Sequence, residues 1–329
     1  MKNRLLPVLI FSVLIFSCTD QQGKKSKRIL PKSVGKINAL QVVIQDSLWQ
    51  GEVGETIRSY FAAPTDGLPQ DEPLFDLRQY KPEAFSGFAR TNRIFLKVGL
   101  ADKDSVSIVK NPFAIPQTGV FVYAKTPQGI NTLIKENQNT FIEAFHISEI
   151  KERQRRTAIS TLRLDSLKRW FGITLKVPSA YKIAKKTSGF YWVRKHLKSG
   201  STNILIYEVP LTAITNDSLA MSQIIKIRDS IGGRELPVED DGRFITEKAY
   251  APFIFKTQID GFNAYETKGT WEVEGELMAG PFLNYAIKDT LNNRYLILEG
   301  FTYAPSVDKR NLQFELESIL KSVKISKRK

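Results

Sequence analysis

The stretch AIKDTLNNRYLIL, residues 286–298, decides the fold class of the second half of this chain. Two apolar runs flank the pair Asn292-Asn293, and asparagine tolerates the backbone conformations that tight turns require. The stretch therefore predicts a β-hairpin. We expect antiparallel pairing in the sheet around it.

The order of elements around this hairpin indicates an α+β architecture. Residues 171–325 contain two or three predicted strands, one helix, four more strands and a closing helix. The closing stretch 308–325 carries an apolar stripe at helical spacing, which is typical of a helix packed on a sheet. This order predicts an antiparallel sheet with helices packed on it.

The first helix of this half is predicted from about Leu219 to Ile231. Asn216 or Asp217 is placed to cap its start, because short polar side chains accept hydrogen bonds from the free N–H groups there. Gly232-Gly233 is interpreted as its stop, since glycine is common just past the end of a helix.

The first half mixes strands and helices as well. A strand is predicted from Ala39 to Ile44, and a helix from Val53 to Ala62, where apolar residues recur at helical spacing. The proline-rich stretch 64–82 predicts an extended loop with one edge strand around Leu74–Gln79.

A long helical region follows and begins at Thr126-Pro127, a capping residue and a first-turn proline. The segment KERQRR, residues 151–156, is interpreted as the exposed polar end of this helix. Cations near a helix C-terminus are favourable without any ligand, so we prefer this interpretation to an anion-binding site.

The length of the chain favours two folded parts. About 290 residues remain once the N-terminal region is set aside, which is more than one hydrophobic core usually serves. We predict an N-terminal α+β domain over residues 37–165 and a C-terminal one over residues 166–329. Each is expected to hold an antiparallel or mixed β-sheet with helices packed on one or both faces.

The first residues predict an export signal. Lys2 and Arg4 precede a run of about 12 apolar residues, which is shorter than the roughly 20 that a membrane-spanning helix needs. Residues 1–17 are therefore interpreted as a signal peptide, with small Ser17 directly before Cys18.

Cys18 is the only cysteine of the 329 residues. The junction of Ser17 and Cys18 resembles the lipobox of bacterial lipoproteins, although Phe16 departs from its strictest form. This resemblance implies cleavage before Cys18 and attachment of lipid to that residue. A catalytic thiolate is disfavoured, since a nucleophile needs a base held on a folded scaffold.

Residues 18–36 are polar and rich in lysine, and Asp20 is their only acid. Such a segment buries too little apolar surface to fold, so we predict a flexible basic tether. Its charge favours an anionic membrane surface, and a solvated spacer without membrane contact is the open alternative. Because no acidic run follows Cys18, we expect a periplasm-facing position in the bacterial cell envelope.

The net charge of +14 does not predict nucleic-acid binding. Much of the excess lies in the tether and in residues 321–329, and the middle of the chain is mixed in charge. No zinc-ligand set and no aromatic RNA-binding motif is present in the sequence. We therefore expect no nucleic-acid partner.

No sequence motif identifies an active site. The chain lacks a nucleophile elbow, a phosphate-binding loop and a metal-protease helix motif. His146 and His196 have no second histidine at ligand spacing, so one partly buried and one surface histidine are expected. We assign no catalytic residue, no cofactor and no metal site.

Aromatic residues supply the candidate binding surface. Tyr191 and Trp192 are adjacent in a predicted strand, so they must face opposite sides of the sheet. Trp49 lies at a strand-to-helix turn. Each is a candidate for contact with a sugar or a protein partner, and burial in the core is the alternative for each.

Two resemblances to known families complete the interpretation. The patterns at residues 48–77, 150–156 and 269–289 resemble the family called domain of unknown function 4837, whose members are predicted envelope lipoproteins. The segment FGITLKVP and the closing helix resemble the PsbP/Mog1-like sandwich. The first resemblance implies location and architecture, and it implies no activity.

These observations predict a lipid-anchored cell-envelope protein that acts as a non-enzymatic binding or assembly module. The partners expected are the membrane, through the anchor, and an envelope protein or glycan. A lipid-anchored hydrolase that attacks envelope glycan or peptide through carboxylates is the alternative. A purely structural partner within an envelope complex is the third.

Overall fold

The computed structural model describes residues 29–238 and 242–328, and it contains two large β-sheets with helices packed against each. The predicted α+β class is therefore confirmed. The signal peptide, Cys18 and the first part of the tether lie outside the described residues.

From residue 29 onwards, the N-terminal half contains five strands and three α-helices. Their bounds are β1 Ala39–Val43, α1 Asp46–Trp49, α2 Glu52–Phe61, β2 Asp76–Tyr80, β3 Ile94–Leu100, β4 Ser105–Lys110, β5 Thr118–Ala124 and α3 Pro127–Thr157.

These strands form a mixed sheet in the order β2-β1-β3-β5-β4. Four strands are parallel, and β4 alone runs antiparallel to its neighbour β5. The predicted edge strand is β2, which pairs only with β1. Helices α2 and α3 bury one face of the sheet, and a smaller aromatic cluster around Phe85 and Phe95 covers the other.

Helix α3 begins as the sequence predicts, because the Thr126 hydroxyl accepts a hydrogen bond of 3.1 Å from the Gly129 N–H. The interpretation of residues 151–156 as an exposed end holds only in part. Lys151 and Arg155 are exposed, but Glu152 is buried. Gln154 donates a hydrogen bond of 2.9 Å to the carbonyl of Ser318, which lies 164 residues away in the C-terminal half, so one side of this end packs there.

The C-terminal half contains ten strands and three helices among the residues described. Their bounds are α4 Asp165–Phe171, β6 Ile173–Thr174, β7 Lys182–Lys186, β8 Phe190–Leu197, β9 Gly200–Pro210, α5 Ala220–Glu235, β10 Phe244–Thr246, β11 Phe253–Ile259, β12 Phe262–Val273, β13 Ala279–Asp289, β14 Arg294–Tyr303, α6 Arg310–Leu320 and β15 Lys324–Ile325.

The main sheet of this half is antiparallel, in the order β10-β12-β13-β14-β9-β8-β7, with β11 also paired to β12. The predicted hairpin is confirmed as β13 and β14, and Asn293 takes the left-handed conformation, with φ of 55°, in its turn. Side chains alternate between two cores, one with α4 and α6 and the other with α5.

Helix α5 extends further than predicted. Gly232 and Gly233 lie inside it, and it ends at Glu235. A Cβ atom on Gly232 would lie 2.6 Å from Cδ1 of Phe244, so this glycine allows β10 to approach the helix closely. Of the two predicted caps, Asn216 accepts a hydrogen bond of 3.0 Å from the Leu219 N–H just before the helix.

The end of the segment assigned to the tether is bound to the N-terminal sheet. The Ser33 and Val34 N–H groups donate hydrogen bonds to the Ile115 and Thr91 carbonyls, at 3.0 and 2.9 Å. The Arg93 guanidinium also donates to the Lys36 carbonyl at 2.9 Å. Within the described part of the chain, no helix has the length and apolar character needed to cross a membrane.

Candidate functional site: an aromatic cavity beyond helix α5

Helix α5 covers only part of its face of the C-terminal sheet, and a cavity of about 350 Å³ lies where the helix ends. The residues after the helix form one wall, and the β12–β13 turn forms another. The described residues that line the cavity are Trp192, Arg194, Ser201, Asn203, Leu236, Pro237, Val238, Phe244, Trp271, Val273, Glu276, Met278, Phe301 and Tyr303.

The floor of this aromatic cavity follows from strand alternation. Arg194 on β8 is directly opposite Asn203 on β9, and Asn203 is directly opposite Phe301 on β14. Trp192 and Tyr303 lie two residues away from members of this row, so they face the same side. Three neighbouring strands therefore present these side chains to one space.

Aromatic rings pack together on one side of the cavity. The Phe244 ring stacks on Trp271 with centroids 4.9 Å apart, and Phe301 meets Trp271 edge to face at 5.6 Å. Trp271 and Phe244 are buried, whereas Trp192 and Tyr303 are half-buried. The buried rings pack against one another and form one side of the cavity. The half-buried rings of Trp192 and Tyr303 have exposed surface that a ligand can contact.

The polar groups of the floor are largely bonded to one another. The Trp192 indole N–H donates to Asn203 Oδ1 at 3.0 Å, and Asn203 Nδ2 donates to Ser201 Oγ at 3.1 Å. The Trp271 indole N–H donates to the Thr302 carbonyl at 3.2 Å. Because these donors are already satisfied, the rings present apolar faces to the cavity.

The cavity is suited to binding rather than to acid–base chemistry. Among the described lining residues, Arg194 is the one cation and Glu276 the one carboxylate. Glycoside hydrolysis through carboxylates requires two such groups about 5–10 Å apart. A concave, mainly apolar recess with a few polar groups is the usual form of a small-molecule site.

The three aromatic residues predicted as a binding surface have different environments. Trp192 lines the cavity. Tyr191 points to the opposite face, is fully buried in the core beneath α4 and α6, and has no surface to offer a partner. Trp49 packs against the N-terminal core, with the Arg58 guanidinium 4.6 Å from its ring centroid.

A second, much smaller cavity of about 80 Å³ lies between the two halves of the chain. His146 Nε2 is 2.7 Å from Glu317 Oε1, and Lys321 Nζ donates to the same carboxylate oxygen at 2.6 Å. Burial alone would raise the pKa of Glu317, but His146, Lys321 and Lys268 hold it well below its ordinary value. The space admits a few water molecules and is too small for a sugar or a peptide.

A cluster of charged side chains surrounds Glu315 on α6. Glu315 forms ion pairs with Arg153 and Lys195, and Tyr181 donates to it at 3.1 Å. Burial, assisted by the Arg153 charge, lowers the pKa of Lys195 to about 8. Because Arg153 belongs to α3 of the N-terminal half and Glu315 to α6 of the C-terminal half, we interpret the cluster as part of the joint between the halves.

The histidines agree with the sequence-based expectation, since His146 is partly buried and His196 is exposed. Among the described residues, no group of three His, Cys, Asp or Glu side chains is arranged to hold a metal ion.

Comparison with protein families finds a match in each half of the chain. Residues 160–322 match the family described as domain of unknown function DUF4837. Residues 33–158 match a second family, described as domain of unknown function DUF8532. No curated protein matches the chain at a significant level.

The resemblance to domain of unknown function 4837 is therefore confirmed, with a narrower extent than the sequence patterns implied. The pattern at residues 48–77 belongs to the part that matches the other family. The aromatic cavity lies entirely in the DUF4837 part of the chain.

Sequence reasoning found Trp192 but missed the other ring-bearing residues of the cavity. A signal for two of them was present, because Phe301 and Tyr303 alternate along one strand and so share a face. No local pattern indicates that Trp271 lies beside them. Trp271 is on β12, and β13 separates this strand from β14 in the sheet.

Proposed function

We propose that this protein is a lipid-anchored binding module of the bacterial cell envelope, and that the aromatic cavity holds an apolar ligand. The observation that carries the binding role is the 350 Å³ recess lined by five half-buried or buried aromatic residues beyond the end of α5. The anchoring role rests on the sequence around Cys18 alone.

The cavity favours binding over hydrolysis. Its described lining holds a single carboxylate, and the smaller cavity between the halves is too narrow for a polymer chain. An envelope protein or glycan remains our proposal for a larger partner. In addition to this larger partner, we propose a small ligand in the cavity, whose flat or aliphatic body packs against Trp192.

The test is titration with N-phenyl-1-naphthylamine, a neutral aromatic probe that fluoresces in apolar sites. Trp192→Ala should weaken probe binding about tenfold, which corresponds to about 1.4 kcal/mol. Trp49→Ala is the matched control, since Trp49 is the other half-buried tryptophan among the predicted binding residues, lies outside the cavity, and its removal should leave binding unchanged.

A second variant guards against misfolding of Trp192→Ala. Met278→Trp places a larger apolar side chain at the half-buried edge of the cavity, where Met278 packs at the margin of the core. It should also exclude the probe. Equal binding by the wild-type protein, Trp192→Ala and Met278→Trp, with melting curves that show all three folded, would contradict the proposal.

A further inference from the structure

Arg194 is the feature of the aromatic cavity that selects among apolar ligands. It lies in the cavity floor, in the row that runs from β8 through Asn203 to Phe301. The indole and amide donors nearby are bonded to protein acceptors, as described above. The guanidinium is therefore the main source of unused hydrogen-bond donors in this space.

The Arg194 guanidinium lacks a partner among the residues that the structure describes. Its Nε atom is buried and has no hydrogen-bond acceptor within residues 29–238 and 242–328. No acidic side chain within residues 29–238 or 242–328 forms an ion pair with it. A partly buried, unpaired cation is unfavourable, because it loses hydration without gaining an opposite charge.

Other buried arginines of the chain are paired. Arg93 binds Glu149 through two hydrogen bonds of 2.6 and 2.9 Å, Arg228 lies 2.9 Å from Glu299, and Arg294 lies 2.9 Å from Asp289. Arg228 and Arg294 belong to the same domain as Arg194. The fold thus supplies a carboxylate to these arginines. No carboxylate of the described residues pairs with Arg194 in the cavity floor, so its guanidinium is available to a ligand with respect to this part of the chain.

We propose that the cavity binds a small amphiphilic acid, whose apolar body packs on Trp192 and Tyr303 and whose single anionic group pairs with Arg194. This inference rests on the proposed binding function and names its ligand class. A planar guanidinium binds a carboxylate, sulfonate or phosphate through two parallel hydrogen bonds. The aromatic rings on the same floor supply the contact for the rest of the ligand.

The test compares two probes that share one body. N-phenyl-1-naphthylamine is neutral, and 1-anilinonaphthalene-8-sulfonate is the same body with one sulfonate added. Arg194→Gln should weaken the sulfonate probe about tenfold, because it removes a charge-assisted hydrogen bond, and should leave the neutral probe within about twofold. Arg163→Gln removes a charge that is 88% exposed and should change neither titration.

The salt dependence of binding and displacement by competing acids test the same proposal independently. Added sodium chloride should weaken the sulfonate probe on the wild-type protein and have little effect on Arg194→Gln. Free dodecanoate should displace the probe if the ligand is a soluble acid, and phosphatidylglycerol vesicles should displace it if the acid is a lipid headgroup. Displacement by either supports the class of ligand.

The proposal and the binding function fail in different ways. If neither probe binds the wild-type protein, the binding function itself is contradicted. If both probes bind and Arg194→Gln weakens both equally, or neither, the anionic class is overturned while the binding function stands. A variant that is less stable yet binds the sulfonate probe as tightly as the wild-type protein would show that Arg194 is paired within the chain, which would also overturn the proposal.

Discussion

Single residues show how a basic chain keeps charge in its interior. The side chains of Arg93 and Glu149 are 2% and 0% exposed, and the same carboxylate also accepts the Asn38 N–H at 2.7 Å. Glu152, one turn further along α3, accepts hydrogen bonds of 2.7 Å from both Arg155 and Arg156. Both carboxylates are compensated by arginine partners and hydrogen bonds, which is the arrangement that low-dielectric surroundings favour.

Glu152 gives a pH-dependent prediction. Burial acts to raise its pKa, but Arg155, Arg156 and Arg93 outweigh this and lower the pKa from 4.5 to about 2. Since the folded-state pKa lies below the unfolded one, this group stabilises the protein above pH 4.5, and its contribution is lost as the pH falls from 4.5 towards about 2. Glu152→Gln should therefore be less stable than the wild-type protein at neutral pH, and the difference should shrink in acid.

Urea unfolding at neutral pH and at about pH 3 measures this difference. Glu136→Gln is the control, because Glu136 lies on the same helix with an exposed side chain. A stability difference between Glu152→Gln and the wild-type protein that stays constant over this range would contradict the assignment.

At the scale of elements, the end of α5 decides where the cavity lies. From the sequence, Gly232 and Gly233 are predicted to end the helix, but the helix continues through them to Glu235. Glycine at this point is required by packing, because Phe244 on the neighbouring strand leaves no room for a Cβ atom on Gly232. Helix propensity describes the preference of a single residue type, so it could not predict the contact between Gly232 and Phe244.

The two glycines should therefore respond differently to alanine. Gly232→Ala brings a Cβ atom to 2.6 Å from the buried Phe244 ring, and we expect a loss of about 1–2 kcal/mol, since overpacking costs more than the gain in helix propensity. Gly233→Ala meets only the flexible Arg243 side chain and should be neutral or stabilising by up to about 1 kcal/mol.

Chemical unfolding of both variants checks this contrast. Phe244 lines the aromatic cavity, so Gly232→Ala should also weaken the neutral probe, while Gly233→Ala should not. A shift of equal sign and size in the two variants would show that propensity, and not packing against β10, controls this turn of the helix.

At the scale of the whole molecule, the two halves are joined by contacts between distant parts of the chain. The Glu72 carboxylate accepts the Lys309 and Arg310 N–H groups at 2.7 and 2.8 Å, at the start of α6. Arg310 in turn donates to Asp76 at 2.9 and 3.0 Å. A loop of the N-terminal half thus caps a helix of the C-terminal half, with a carboxylate where the helix dipole favours one.

Attachment to the membrane is a prediction for the intact chain. Cys18→Ala should abolish fatty-acid labelling of the protein in cells and should release it from the membrane fraction, because no other residue at this junction offers a thiol for acylation. Thr19→Ala, which alters the next residue only, should remain labelled. Continued labelling of Cys18→Ala together with unchanged membrane retention would refute lipid anchoring.

Much of the local structure was predictable from the sequence. The turn at Asn292-Asn293, the cap at Thr126 and the edge strand near residue 76 follow from residues within a few positions of one another. Trp192 and Tyr191 were also placed on opposite faces by the two-residue period of a strand. These features depend on backbone geometry and on side-chain alternation, which the sequence carries directly.

The sequence by itself thus determined the class of the fold, the hairpin at its centre and one wall residue of the cavity. Only the tertiary structure decided that Trp271, Phe301 and Arg194 share one space, and that Gln154 near the end of α3 contacts α6. Strand order and helix packing set these neighbours, and both depend on contacts between residues far apart in the chain. Local propensity is fixed by neighbouring residues, whereas a cavity exists only where separate elements meet and fail to fill the space between them.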